Sequence, residues 1–175
     1  MRLDVVTTDT LDAPTRAEIL ALCVAAYDED IAAILDDIGP GTHFLLRSEG
    51  VLVSHAMLVT RSLVIEHQRA LSTAYVELVA TLPSHQHRGF ATTVLRDLVP
   101  HIAALFDIGA LSPSDPAFYA RLGWELWGGP LSVRTADGLV ATPGEEVMIL
   151  RVPRTPANLD LHAPLSVEWR PGDVW

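Results

Sequence analysis

Gln86-His87-Arg88-Gly89-Phe90-Ala91 sets amide, imidazole and guanidinium donors beside a glycine and a small residue. Val94, Leu95 and Leu98 follow at the three- and four-residue spacing of a helix with one buried stripe, so a helix starts near Gly89. A helix start leaves backbone N–H groups without partners and carries partial positive charge. Such a place binds phosphate. Glycine at 89 removes the Cβ that would bar a phosphate from the backbone, Ala91 is small to the same end, and Arg88 adds a charged donor. The competing reading is an ordinary loop-to-helix connection with a solvated arginine.

The loop needs an element to aim it. Residues 73–82 read as a strand that Pro83 ends, and alternation sends Tyr75, Glu77, Val79 and Thr81 to one face and Ala74, Val76, Leu78 and Ala80 to the other. The backbone of Val79, Ala80 and Thr81 lies at the end of this strand, where an extended ligand can add as a further strand. Glu77 shares the face of Val79 and Thr81, which makes its carboxylate a general-base candidate, acting through water. The bland alternative is a solvated strand carboxylate. Further on, Gly109-Ala110-Leu111-Ser112 reads as a brief buried strand, and Ser114-Asp115-Pro116 caps a helix that runs to Gly123. Tyr119 on that helix is a general-acid candidate, against the alternative of a packed phenol held by the backbone.

Other elements frame these two segments. Residues 3–7 read as a strand, and a helix over 14–26 follows Asp12 or Thr15 as cap. Tyr27-Asp28-Glu29-Asp30 brings three acids together before a short helix over 31–38 that Gly39-Pro40-Gly41 ends. Strands over 43–48 and 51–61 meet at the turn Glu49-Gly50, and 63–70 continues as strand or loop. Pro100 predicts a kink or break in the helix after the loop, with Ile102, Leu105 and Phe106 still buried. Residues 134–144 read as a turn-rich loop and 146–152 as an apolar strand. The tail ends with Trp169 and Trp175, two indoles costly to leave in water, and so is expected to pack.

The 175 residues suit one domain, 1–175, with 153–175 as its packed tail. At 49% hydrophobic and 19% charged the chain is not disordered. With no membrane-length apolar run and no signal-peptide pattern, a soluble cytoplasmic protein is expected. Cys23 is the one cysteine, so no disulfide forms within the chain. His85 and His87 lack further ligands at metal spacing, and no metal is expected. The formal charge is −10 and every basic residue is arginine, which argues against nucleic acid and favours cationic ligands.

The loop Gln86–Ala91 resembles the Gln/Arg-x-x-Gly-x-Gly/Ala signature of the GCN5-related N-acetyltransferases (GNATs), in which it holds the pyrophosphate of acetyl-CoA. Tyr119 and Gly123-Trp124 fall on that family's later Tyr-x-x-x-Gly-Trp/Phe pattern. Within the superfamily the chain is most similar to the aminoglycoside 2′-N-acetyltransferases, through Tyr75-Val76-Glu77-x-Val79-Ala80, through Gly109-Ala110-Leu111-Ser112, and above all through Trp169-Arg170-Pro171-Gly172-Asp173-Val174-Trp175. The resemblance implies an α/β (α+β) GNAT fold, a mixed, mostly antiparallel sheet splayed between its fourth and fifth strands and flanked by helices. It implies acetyl-CoA as cosubstrate, an oxyanion role for the Val79 amide, and cofactor contact by Ser112. It also implies a polycationic aminoglycoside held by Asp30, Glu77, one of Glu145 or Glu146, and the carboxylate of Trp175. A homodimer is left open. The loop carries fewer arginines than the resembled enzymes, and 135–156 differs in length. Acetylation of another small amine or amino sugar, or a non-catalytic acetyl-CoA sensor, are the alternatives.

Overall fold

The computed structural model describes residues 1–27, 29–65 and 70–175. Asp28 of the acidic cluster, and residues 66–69 of the segment read as strand or loop, lie outside the described residues. The described chain divides into two units, one of Met1–Val59 with Val76–Val99 and one of Thr60–Tyr75 with Pro100–Trp175.

In the first unit, β1 (Arg2–Thr7) pairs antiparallel with β2 (Thr42–Ser48), which pairs antiparallel with β3 (Val51–Ile65). Glu49 and Gly50 turn this hairpin with φ of 51° and 84°, the two left-handed residues its twist requires. Asp12 caps α1 (Ala13–Tyr27) by accepting from the Thr15 amide at 2.8 Å, and Asp30 caps α2 (Ile31–Ile38). Ile19, Leu22 and Cys23 of α1 and Ile31 of α2 form one core with Leu45, Leu52 and Ala80, the last on β4 (Ala70–Thr81). Gly41 is needed for close approach, since a Cβ there would stand 2.4 Å from the Leu58 carbonyl.

In the second unit, β5 (Ile108–Leu111) runs parallel to β4 over Thr73–Tyr75 and antiparallel to β9 (Met148–Arg151), which also pairs with β6 (Glu125–Leu126). The fourth and fifth strands pair no further than Tyr75 with Ala110, although β4 goes on to Thr81. Gly109 lets Ile102, Leu150 and Trp124 close to within 3.1–3.2 Å of where its Cβ would be. Residues 134–144, read as a loop, instead contribute to a hairpin of β7 (Leu131–Thr135) and β8 (Gly138–Ala141). The tail supplies β10 (Leu165–Glu168), parallel to β7 and antiparallel to β3 at Leu63–Ile65.

Three expectations are corrected. The helix α3 (Phe90–Leu105) runs through Pro100, so of the expected kink or break the break does not occur; the proline is exposed, with Leu98 and Ile102 buried on either side of it. Leu105 is 64% exposed rather than buried, although it continues the stripe of Leu98 and Ile102, because it is the last residue of α3. Trp169 is 59% exposed, whereas Trp175 is buried at 2%.

Candidate active site

The loop before α3 begins with a short 3₁₀ turn at Pro83–His85, after which His87 and Gly89 both take left-handed backbone, with φ of 59° and 82°. These two positive φ values turn the chain into the helix. Gly89 then serves the first turn, its carbonyl accepting from the Thr93 amide at 3.0 Å and the Thr93 hydroxyl at 3.1 Å. A Cβ built on Gly89 would meet nothing within 4 Å, so the backbone there is open to an approaching group. Gln86 bonds back to the Thr81 carbonyl at 3.4 Å, tying loop to strand. Arg88 and His85 both lie on the Phe90 ring, with centroid separations of 5.3 Å and 5.7 Å. Ala91 occupies the first turn of α3. The donors of a helix start, an open glycine and an adjacent guanidinium fit a diphosphate.

On β4 the expected alternation is interrupted. Leu78 has φ of 49°, left-handed backbone in a residue with a Cβ, so the two-residue repeat that put Glu77, Val79 and Thr81 on one face does not pass unbroken through it. Successive carbonyls at this point each accept from a side chain. Leu78 O takes His55 Nδ1 at 2.9 Å, Val79 O takes the Tyr27 hydroxyl at 2.7 Å, and Ala80 O takes the Ser54 hydroxyl at 3.0 Å. Ser54 also lies 2.8 Å from the Thr81 hydroxyl. Glu77 is half-buried. Asp30, the remaining candidate in this unit, is exposed and accepts from the Ala33 amide at 3.5 Å as the cap of α2.

None of Tyr27, His43, Ser54 or His55 was singled out from sequence. His43 and His55 stand in apolar strand patterns, fully buried, with Nδ1 of His43 3.0 Å from Nε2 of His55. Burial drives the His55 imidazole down to about 3, with neighbouring His43 adding to the shift and the Leu78 carbonyl opposing it. Burial lowers His43 as well. The signal available in sequence was two histidines inside an otherwise apolar hairpin.

The second unit carries the other candidates. Tyr119 lies on α4 (Pro116–Ala120), capped by Asp115, which accepts from the Phe118 amide at 3.2 Å. The phenol ring is packed edge-on to Phe118 and Trp124, and burial pushes its hydroxyl up to about 12, with Asp115 adding in the same sense. Ser112 donates to the Glu146 carbonyl at 3.1 Å. The Glu145 and Glu146 side chains are exposed. Trp175 donates through its indole to the Thr142 hydroxyl at 2.8 Å, and its amide to Asp173 at 3.2 Å. Buried Arg61 holds the tail, bonding the Glu168 carboxylate at 2.9 Å, the Glu168 carbonyl at 2.7 Å and the Val174 carbonyl at 3.1 Å.

Residues 15–127 match the acetyltransferase (GNAT) domain family. The chain belongs to the GNAT acetyltransferases. It is 33% identical over 174 residues to an aminoglycoside 2′-N-acetyltransferase of Mycolicibacterium fortuitum, a match covering 96% of this chain and 89% of that one. Among solved structures, the GNAT fold is shared with YhbS of Escherichia coli, a GNAT family N-acetyltransferase crystallised with CoA, at a TM-score of 0.65 and 18% identity over 96% of this chain and 89% of that chain. Eis1 of Mycobacterium abscessus matches at a TM-score of 0.60 and 18% identity over 71% of this chain, which spans only 31% of that longer chain.

Proposed function

We propose that this GNAT protein transfers the acetyl group of acetyl-CoA to the 2′-amine of an aminoglycoside. The observation that carries the reading is the 33% identity, across nearly the full length of both chains, to an enzyme of that activity. A chain of formal charge −10 is also suited to an acceptor bearing several ammonium groups, which carboxylates steer and hold by charge-assisted hydrogen bonds.

Bound acetyl-CoA supplies an acetyl thioester. In this reading the amides and side chains of Gln86–Ala91 hold the diphosphate, Val79–Thr81 line the pantetheine arm, and Ser112 touches the cofactor. The Val79 amide donates to the thioester oxygen as negative charge grows there. Glu77 takes a proton from the acceptor ammonium through water, which frees the lone pair that forms the new N–C bond as the C–S bond breaks. Tyr119 returns a proton to the departing sulfur. Asp30, Glu77, one of Glu145 or Glu146, and Trp175 bind the acceptor.

The test is turnover of acetyl-CoA with aminoglycosides that carry, or lack, an amino group at the 2′ position, with the product mapped by NMR. Acetylation confined to the first group, on the 2′ nitrogen, is expected. Equal turnover of both groups, or of neither, overturns the reading and directs the search to another small amine.

A further inference from the structure

We infer that His55, backed by His43 and Thr8, is a positioning residue that orients and polarises the peptide whose N–H is the proposed oxyanion donor; this rests on the reading above. Leu78 C=O and Val79 N–H belong to one planar, trans peptide, so they point in opposite directions. A donor fixed on the carbonyl therefore sets the plane of the amide on the other side, and polarises it, because hydrogen bonds in a chain strengthen one another where water is excluded.

The donor is His55 Nδ1, 2.9 Å from Leu78 O. A carbonyl accepts only, so Nδ1 carries the hydrogen and Nε2 of the neutral ring carries a lone pair. That lone pair accepts from His43 Nδ1 at 3.0 Å. His43 Nε2 is then an acceptor in turn, and the Thr8 hydroxyl lies 3.1 Å from it. Thr8 receives the Gly41 amide at 2.9 Å and shares its proton with the Gly41 carbonyl at 3.1 Å. From His43 Nδ1 to Leu78 O the donors thus run in one direction and the neutral tautomers of both rings follow, while the single Thr8 proton is divided between His43 Nε2 and the Gly41 carbonyl. Cys23 Sγ, 3.9 Å from His55 Nδ1, is a weak further neighbour. Both rings are at 0% exposure, beside a core of Ile19, Leu22, Leu45 and Leu52 where apolar side chains would pack without needing partners. What two apolar residues could not do is hold the Leu78 carbonyl in a left-handed bend. Strained backbone of this kind persists only where surrounding groups impose it.

Two variants separate donor from bulk. His55→Asn places an amide nitrogen about where Nδ1 stands, while His55→Phe keeps a ring and removes the donor. With an acceptor that the wild type acetylates, kcat of His55→Phe should fall about tenfold or more, with the KM for acetyl-CoA within about twofold of wild type, and His55→Asn should recover most of the loss. In labelled protein without any acceptor, the Leu78 carbonyl carbon and Val79 amide nitrogen should move upfield in His55→Phe and stay near wild type in His55→Asn. Equal kcat loss in both variants, an unchanged kcat in His55→Phe, or an unmoved Leu78–Val79 peptide overturns the inference. Should His55→Phe fail to fold, Thr8→Val shortens the chain from its outer end; a smaller shift of the same sign supports the inference and no shift overturns it. Failure of wild type to acetylate any aminoglycoside sinks only the substrate reading, because the NMR readout needs no acceptor.

Discussion

At the residue scale, Glu77 immediately precedes the left-handed Leu78, so the bend also fixes where the carboxylate leaves the strand. Replacing Glu77 by Gln keeps shape and removes basicity, and should lower kcat/KM by about a hundredfold or more with CoA affinity retained, as titration calorimetry would show. Tyr119→Phe should cost less. A phenol pushed up to about 12 is a weaker acid than a thiol near about 8.5, so its proton transfer runs uphill and a fall of about tenfold is expected. The buried histidine makes a prediction of its own. Its folded pKa, about 3, lies below the ordinary 6.5, so the unfolded chain binds the proton first. The stability involved is present above 6.5 and is lost as pH falls from there towards 3, at up to about 1.4 kcal/mol per pH unit for one proton. His43 acts in the same sense, whereas neighbouring Cys23, pushed up to about 12, stays neutral. Urea midpoints measured from pH 7 to 4.5 should fall more steeply for wild type than for His55→Asn.

At the scale of elements, the turn into α3 depends on two left-handed residues, and only Gly89 takes that conformation without a Cβ penalty. Gly89→Ala should cost about 1–2 kcal/mol in thermal or urea unfolding. Because its Cβ would meet no protein atom within 4 Å, a loss of CoA affinity beyond that strain, expected at about tenfold, would support the proposal that a phosphate sits against Gly89. This segment was legible in sequence, because Pro83, Gly89 and the spacing of Val94, Leu95 and Leu98 are local signals that the structure obeys. The hairpin at Glu49-Gly50 and the caps at Asp12, Asp30 and Asp115 were legible for the same reason. The bend at Leu78 was not, since leucine is no marker of left-handed backbone, and what holds it comes from α1 and β3, far away in sequence. Likewise β7 and β8 gave only turn signals, and β10 pairs with β3 about a hundred positions away as well as with β7.

At the scale of the molecule, family and fold came from motifs spread along the chain, while the partners of the tail needed three dimensions. Arg61 bonds three groups of residues 168–174, so Arg61→Ala should leave polar groups unpaired and cost about 3 kcal/mol. Limited proteolysis should then cut within 168–175, and iodide, which in wild type should quench chiefly Trp169, should reach Trp175 as well. The one sulfhydryl, Cys23, is sealed at 0% exposure and held protonated by burial. A disulfide dye such as Ellman's reagent should therefore stay colourless with the native protein even at high enzyme concentration, so that the first turnover becomes countable against a silent background, and a slow colour without donor would signal that the core had opened.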